Sequence, residues 1–308
     1  MRRTTRTADS TRLFDWAEHH QTDPNDPAPV PEIWGIDAMN LIFQLWFAMP
    51  EMTSPEGRPI AVLWGFLRDL ATIRREHRPT AMYIAFDLHA ETFRHALLPE
   101  YKANRPEPPE PLVEQIKQIR PLLEELGFAV VAQPGFEADD ILATLAEQTQ
   151  QAGERCVIVT TDKDCRQLLS PTVRMYTLRK RTFVDEASLL SDWEITPSQV
   201  VDYLSLVGDS VDNVAGVPMI GPKMARELLG QYGDWEGIQR SIDSISGERR
   251  RESLRNATER MDRNRQLIRL RRDVPCTFDR IRGEHPEPAP TAEQTLNHLG
   301  LGRYVSEF

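Results

Sequence analysis

Four short apolar segments, each running into acidic residues and each followed by an amphipathic stretch, constrain this chain more than any other feature. They are IWGID at 33–37, AMYIAFD at 81–87, FAVVA at 128–132 and CVIVTT at 156–161. Between them lie helical patterns over 60–75, 112–126 and 140–152. In the first of these Ile60, Leu63, Leu67, Leu70 and Ile73 recur near i, i+3 and i+4 and supply a buried stripe. Alternation of strand and helix predicts an α/β fold with a mainly parallel central sheet flanked by helices.

The rest of the chain divides around that block. Residues 1–31 end in TDPNDPAPVP and read as a mobile extension; residues 32–190 form the α/β domain. Within it, residues 93–111 break the pattern, and four prolines between 106 and 111 predict a long exposed connection. Beyond 190 strand signals stop, which predicts a helical region over 191–308. Cys156, Cys165 and Cys276 form no CxxC pair, so neither a disulfide framework nor a cysteine-rich zinc site is expected, and a reducing, cytoplasmic setting fits. No run reaches the ~18 apolar residues of a membrane span, and residues 1–14 hold no secretory signal.

The acids carry the chemistry. Asp37 and Asp87 end the first two strands, Glu137, Asp139 and Asp140 follow the third, and Asp162 and Asp164 follow the fourth. Four parallel strands therefore deliver seven carboxylates to one sheet edge, where open α/β sheets bind ligands. Asp209 and Asp212 join them if the helical region folds back over that edge. Any single Asp here has an ordinary reading as a helix cap or turn former, and Asp140 could simply cap ILATLAEQ. The coincidence across four strands is what that reading leaves unexplained.

Carboxylates packed together need cations, since two charges 4 Å apart repel by about 1 kcal/mol even in water. All-oxygen donors select Mg²⁺ or Mn²⁺ over Zn²⁺. Two such ions would activate a water on one side and stabilise a leaving oxygen on the other, as phosphodiester hydrolysis requires. The net charge of −10 argues against a nucleic-acid partner until these nine acids are set aside. Residues 240–272 hold eleven Arg against five acids, and the first twelve residues four Arg against one Asp.

The segments GIDAMN, AFD, TFRH, EYKANRP, GFEADD, TTDKD and VDYLSLVGDSVDNVAGVPMIGPKMA together resemble the 5′-nuclease domain of bacterial DNA polymerase I and the flap endonucleases, across residues 33–278. The resemblance implies that all nine acids are metal ligands. Asp37, Asp87, Glu137 and Asp139 would surround one ion, Asp162, Asp164, Asp209 and Asp212 the other, with Asp140 between. It puts Arg94 and Lys102 on the scissile phosphate and Tyr101 on the terminal base, with Arg105 also on DNA. Composition alone would make that stretch a solvated Pro-rich loop.

VAGVPMIGPKMARELL resembles the hairpin of a helix-hairpin-helix, which implies duplex backbone contacts at Val217, Gly221 and Lys223 and a monovalent cation such as K⁺. Met219, Ala38 and Thr161 stand where the family has Gly, which matters if those positions need positive φ. The Arg-rich stretch reads equally as a second duplex surface and as a solvated basic helix. LIFQLWFAM at 41–49 reads as buried packing. The expectation is a monomeric, structure-selective 5′ nuclease using two Mg²⁺ or Mn²⁺ ions on DNA 5′ ends, flaps or nicks, including RNA primers in hybrids. Its rivals are a ribonuclease of the related fold and a non-catalytic structure-specific DNA-binding protein.

Overall fold

The computed structural model describes residues 30–88 and 90–308. Most of the expected extension, residues 1–29, lies outside the described residues. The first strand, β1 (Glu32–Asp37), runs into α1 (Ala38–Ala48), then α2 (Ala61–His77) and β2 (Ala81–Ala85). There follow α3 (Phe93–Leu97), α4 (Glu110–Glu125), β3 (Ala129–Val131), α5 (Ala138–Gln151) and β4 (Arg155–Val159). A fifth strand, β5 (Val173–Thr177), and an antiparallel β6 (Thr182–Val184) complete the sheet in the order β3-β2-β1-β4-β5-β6. The first five strands are parallel.

The chain builds outward from β1 through β2 to β3 and then returns to pair β4 on the other side of β1. The strand order therefore reverses between β1 and β4, and the crevice beyond their carboxyl ends is the ligand position of such sheets. Asp37 closes β1 at that point, and Asp162 follows β4.

β1, β2 and β4 bury both faces, so the alternation sorts side chains into two cores. Ile33, Tyr83, Ala85, Ile158 and Met175 face α5 and the helical region. Trp34, Ile36, Met82, Ile84, Val157 and Val159 face α1, α2 and α4. Gly35 lets α5 press onto β1: a Cβ there would lie 2.7 Å from a Leu142 methyl and 2.9 Å from one of Leu145. Gln115 of α4 accepts the Val62 N–H at 2.8 Å, a cap for α2 contributed by another helix.

Beyond the sheet come α6 (Glu186–Trp193), α7 (Val200–Val207), α8 (Pro222–Tyr232), α9 (Trp235–Arg240), α10 (Glu248–Arg255) and α11 (Thr258–Ile268). A two-stranded ribbon, β7 (Gly208–Asp209) with β8 (Val214–Ala215), interrupts the helices where only helix was expected. The last segments, α12 (Arg280–Glu284) and α13 (Ala292–His298), leave the helical region. Ala289 donates to Glu125 O at 2.7 Å, and Leu296, Leu301 and Tyr304 are buried in the α2/α4 core. The terminal 30 or so residues thus strap the α/β domain, which corrects the boundary expected for a helical unit over 191–308.

The expected exposed connection at 93–111 is exposed over 103–107 but structured at its ends. It contains α3, with Thr92 and His95 forming its capping box, and α4 already begins at Glu110. Pro111 sits in the first helical turn, where a missing N–H costs nothing.

Candidate metal centre

Of the carboxylates expected at the sheet edge, Asp37, Asp87, Asp139, Asp162 and Asp164 lie close enough there to repel one another. Asp37 accepts from Asn40 N at 3.0 Å and from Thr160 Oγ1 at 2.9 Å, so it caps α1 while facing the crevice. Asp87 accepts the Ala138 N–H at 2.8 Å, and Asp162 accepts the Asp164 N–H at 2.9 Å. Asp209, at the end of β7, and Asp212, between β7 and β8, arrive from the helical region; the ribbon missed by the sequence reading is what delivers them.

Their mutual repulsion is legible in their acidities. Burial first, then the charges of Asp87 and Asp162, pushes Asp37 up to about 7. Asp139 is held well above the usual carboxylate range by burial and by Asp162, Asp37 and Asp87. Asp164 is raised likewise, by burial and by Asp162, Asp212 and Asp209. Burial also raises Asp87 and Asp162. Asp164 Oδ1 is buried with no hydrogen-bonding partner among the described residues. The acids line a crevice and do not close a cage: among the described residues no group of three or more His, Cys, Asp or Glu takes metal-holding geometry.

Protein cations fill part of the deficit. Lys102 Nζ lies 2.7 Å from Glu137 Oε1, Lys163 Nζ 2.9 Å from Asp209 Oδ2, and Arg105 pairs with Asp212. Lys102 itself takes φ 59°, a left-handed backbone, and burial against its charge is outweighed by Glu137 and Asp212, so its acidity falls. The segment carrying it is docked on the ribbon: Lys102 N donates to Asp212 O at 3.1 Å, Asn104 Nδ2 to Ser210 O and Asn213 Nδ2 to Glu100 O.

Two expected site residues, beside Glu137, satisfy each other. Asp140 is fully buried, and its oxygens accept from Arg94 Nη1 and Nη2 at 2.6 and 2.8 Å, from Glu137 N at 3.1 Å and from Arg271 N at 2.9 Å. No lone pair faces the crevice in a useful way, so Asp140 ties α5 to α3 and to the chain after α11. Arg94, 1% exposed, adds a bond to Leu267 O at 2.7 Å and is not a mobile cation. Tyr101 is buried too, its hydroxyl placed 3.2 Å from both Glu137 Oε2 and Asp212 Oδ2. A pattern of residue types cannot distinguish a carboxylate that needs a metal from one that has a guanidinium.

At the hairpin, Val217 is not available for the contact expected of it: its side chain is buried and its N–H donates to Leu206 O at 2.8 Å. Gly221 and Lys223 do sit exposed at the N-terminus of α8, with no side-chain cap on Gly221. Met219 adopts φ 67° and is 64% exposed, the conformation expected of a position that suits Gly. Ala38 and Thr161 do not take positive φ, so that concern falls away. Much of the Arg-rich stretch is bound within the fold, as Arg251 to Glu248, Arg265 to Asp202 and Arg260 to Gly216 O show. In the run at 41–49 Leu41, Ile42 and Leu45 are buried, but Phe47 is 81% exposed. Lys163 and Thr160 stand within the quoted TTDKD without being singled out by it; the Arg271 contact is through its backbone N–H, which residue type does not mark.

Fold and crevice together define an α/β protein that gathers acids at a strand-edge switch point, with a ribbon from its helical region bringing two more. Comparison with known proteins identifies it further. Residues 32–194 match the model of the 5′-3′ exonuclease N-terminal resolvase-like domain, and residues 195–289 that of the 5′-3′ exonuclease C-terminal SAM fold. The chain belongs to the 5′-3′ exonuclease family. It is 38% identical over 252 residues to DNA polymerase I of Rhizobium leguminosarum, covering 79% of this chain and 25% of that protein. It is 33% identical over 273 residues to the thermostable DNA polymerase I of Thermus thermophilus, covering 89% and 32%. The chain thus spans a quarter to a third of the length of these relatives. Among solved structures, the bacteriophage T5 D15 flap endonuclease complex with DNA and metal ions aligns with TM-score 0.66 at 21% identity, covering 77% of this chain and 88% of that one. The catalytic core of Rad2 in complex with DNA substrate aligns with TM-score 0.57 at 16% identity, covering 90% and 91%. These likenesses establish a shared fold.

Proposed function

We propose that the chain is a divalent-metal-dependent 5′ nuclease that hydrolyses DNA phosphodiesters at 5′ ends, flaps and nicks. The observation that supports it most is the set of mutually repelling acids around Asp37, Asp139, Asp162 and Asp164, with Asp164 Oδ1 a buried oxygen unpaired among the described residues. All-oxygen donors of this kind fit Mg²⁺ or Mn²⁺. Asp37, Asp87 and Asp139 would hold one ion and Asp162, Asp164, Asp209 and Asp212 another, with Glu137 reached once Lys102 turns away. When bound, such ions supply activation of the attacking water and charge stabilisation on the leaving oxygen.

The chain's own residues do the rest. Lys102 and Arg105, now held by Glu137 and Asp212, exchange those carboxylates for the phosphate of an entering strand. Lys102 then offsets charge developing on the phosphoryl group. Tyr101 positions Lys102 from below, its ring 4.9 Å from the ammonium. The exposed first turn of α8, with Lys223, grips duplex backbone without reading sequence. The flap endonuclease and Rad2 structures named above hold DNA, which supports this reading. Removal of RNA primers and a K⁺ ion at the hairpin belong to the same proposal.

The test is cleavage of 5′-labelled flap, nicked and single-stranded DNA with Mg²⁺, with Mn²⁺ and with chelator. Cutting at the flap junction that disappears with chelator is expected. Binding to the flap with no product in either metal refutes the reading.

A further inference from the structure

On the face of the sheet away from α5, between α2 and the β5–β6 hairpin, lies a cavity of about 360 Å³ lined by Arg68, Asp69, His77, Tyr176, Arg179 and Arg181, with Thr72 at its side. None of these residues takes part in the crevice chemistry. That volume is in the range of small-molecule pockets.

The charges in it do not balance. Asp69, 3% exposed, accepts from Arg68 Nε and Nη2 at 3.0 and 2.7 Å, and its other oxygen accepts from Arg179 Nη2. Two guanidiniums therefore share one carboxylate. Arg181 pairs with Glu76 at 2.6 Å on the open side. A further cation stands behind the wall: Arg303 and Arg68 flank Trp64, at 4.6 and 4.9 Å from its ring. Burial and Arg303 lower Arg68, and burial and Arg68 lower Arg179, so these cations repel as the acids of the crevice do. Such a cluster draws an anion, and forked guanidiniums match a phosphate.

The other wall is aromatic and offers one unsatisfied polar atom. His77 and Tyr176 stand 4.9 Å apart between centroids, with Phe183 4.9 Å from Tyr176. His77 Nε2 is buried without a hydrogen-bonding partner among the described residues. Burial lowers the pKa of His77 below its ordinary value, which favours the neutral ring at pH 7, whose free nitrogen can bond an uncharged polar group.

We propose that this cavity binds a nucleoside 5′-monophosphate, its phosphate on Arg68, Arg179 and Arg181 and its base against His77 and Tyr176. The site is separate from the metal crevice, and the inference does not depend on how that crevice works. A nucleoside monophosphate is also what exonucleolytic cutting releases, so occupancy would report product.

The test is calorimetric titration of the full chain, with chelator present so that no crevice metal can recruit phosphate. The probes are dAMP, deoxyadenosine, inorganic phosphate and a blunt duplex without terminal phosphates. Saturable dAMP binding is expected, weakened at least tenfold by Arg179→Gln and unchanged by Lys102→Ala, with no binding of deoxyadenosine. Arg179→Gln keeps the Arg68–Asp69 pair, and its unfolding midpoint checks the fold. The more exposed Arg181→Gln, expected to weaken binding several-fold, decides the matter if that variant is unstable. Flap cleavage by Arg179→Gln stays within about twofold of the parent, so this result and that of the nuclease assay are read apart.

Absence of dAMP binding, or binding indifferent to both Arg variants, overturns the site. Inorganic phosphate bound as tightly as dAMP overturns the nucleoside part. Displacement of dAMP by the unphosphorylated duplex, dependent on Arg179, shows that the surface takes nucleic-acid backbone instead.

Discussion

Asp37→Asn should make the metal-free protein more stable, an unusual result for altering a buried, doubly hydrogen-bonded residue. Folding carries the Asp37 carboxyl from 3.8 to about 7, through burial and the charges of Asp87 and Asp162. The folded state therefore holds its proton where the unfolded state has lost it, and stability falls as pH rises between those values. At pH 8 the whole penalty applies, up to about 4 kcal/mol at 1.36 kcal/mol per unit. At pH 5 less than half of it is present, and near pH 3 none. Asparagine removes the charge but keeps Oδ1 as acceptor for the Asn40 N–H, so the α1 cap survives. Thr160, which donates to Oδ2 at 2.9 Å, can instead accept from the new amide. Urea unfolding followed by far-ultraviolet circular dichroism, in chelator at pH 5, 6.5 and 8, measures the difference. A lead for the variant that grows with pH, and that shrinks when millimolar Mg²⁺ stabilises the parent, is expected. A variant less stable than the parent by the same amount at every pH would refute the reasoning.

Four further outcomes follow from the geometry. Asp140→Ala should cost about 3–5 kcal/mol, because it removes the paired carboxylate from the buried Arg94 guanidinium and leaves it Glu137 at 3.3 Å; chemical denaturation measures it. Asp162→Ala should instead abolish cleavage while leaving the metal-free protein at least as stable, which pairs a flap assay with the same denaturation curves. Lys102→Ala should lower the single-turnover cleavage rate about 10²–10³-fold with the unfolding midpoint little changed, and an unaltered rate would remove Lys102 from the reaction. Met219→Gly should stabilise the chain by up to about 1 kcal/mol, since a left-handed backbone at φ 67° suits glycine, and a lower thermal midpoint would contradict that.

What the sequence determined by itself is the local and periodic part of this protein. Apolar runs of strand length, helices with one buried stripe and acids at strand ends are set by neighbours along the chain, so the α/β block and the seven carboxylates of its edge are legible without coordinates. The switch point that gathers them follows from general rules of parallel sheets. Tertiary structure alone decided which acids are in want of a cation. Asp140 and Asp139 are adjacent in GFEADD, yet one meets the Arg94 guanidinium and the other lies among Asp162, Asp37 and Asp87 with the Cys165 thiol 3.5 Å from its Oδ1. That difference depends on how α3 packs on α5, where a guanidinium from 46 positions away arrives in the interior. The same holds for the terminal segment, whose backbone at Ala289 bonds to Glu125, and for the Arg68–Asp69–Arg179 cavity. Each is a contact between distant parts of the chain, and charge satisfaction is a property of such contacts, not of residue types in order.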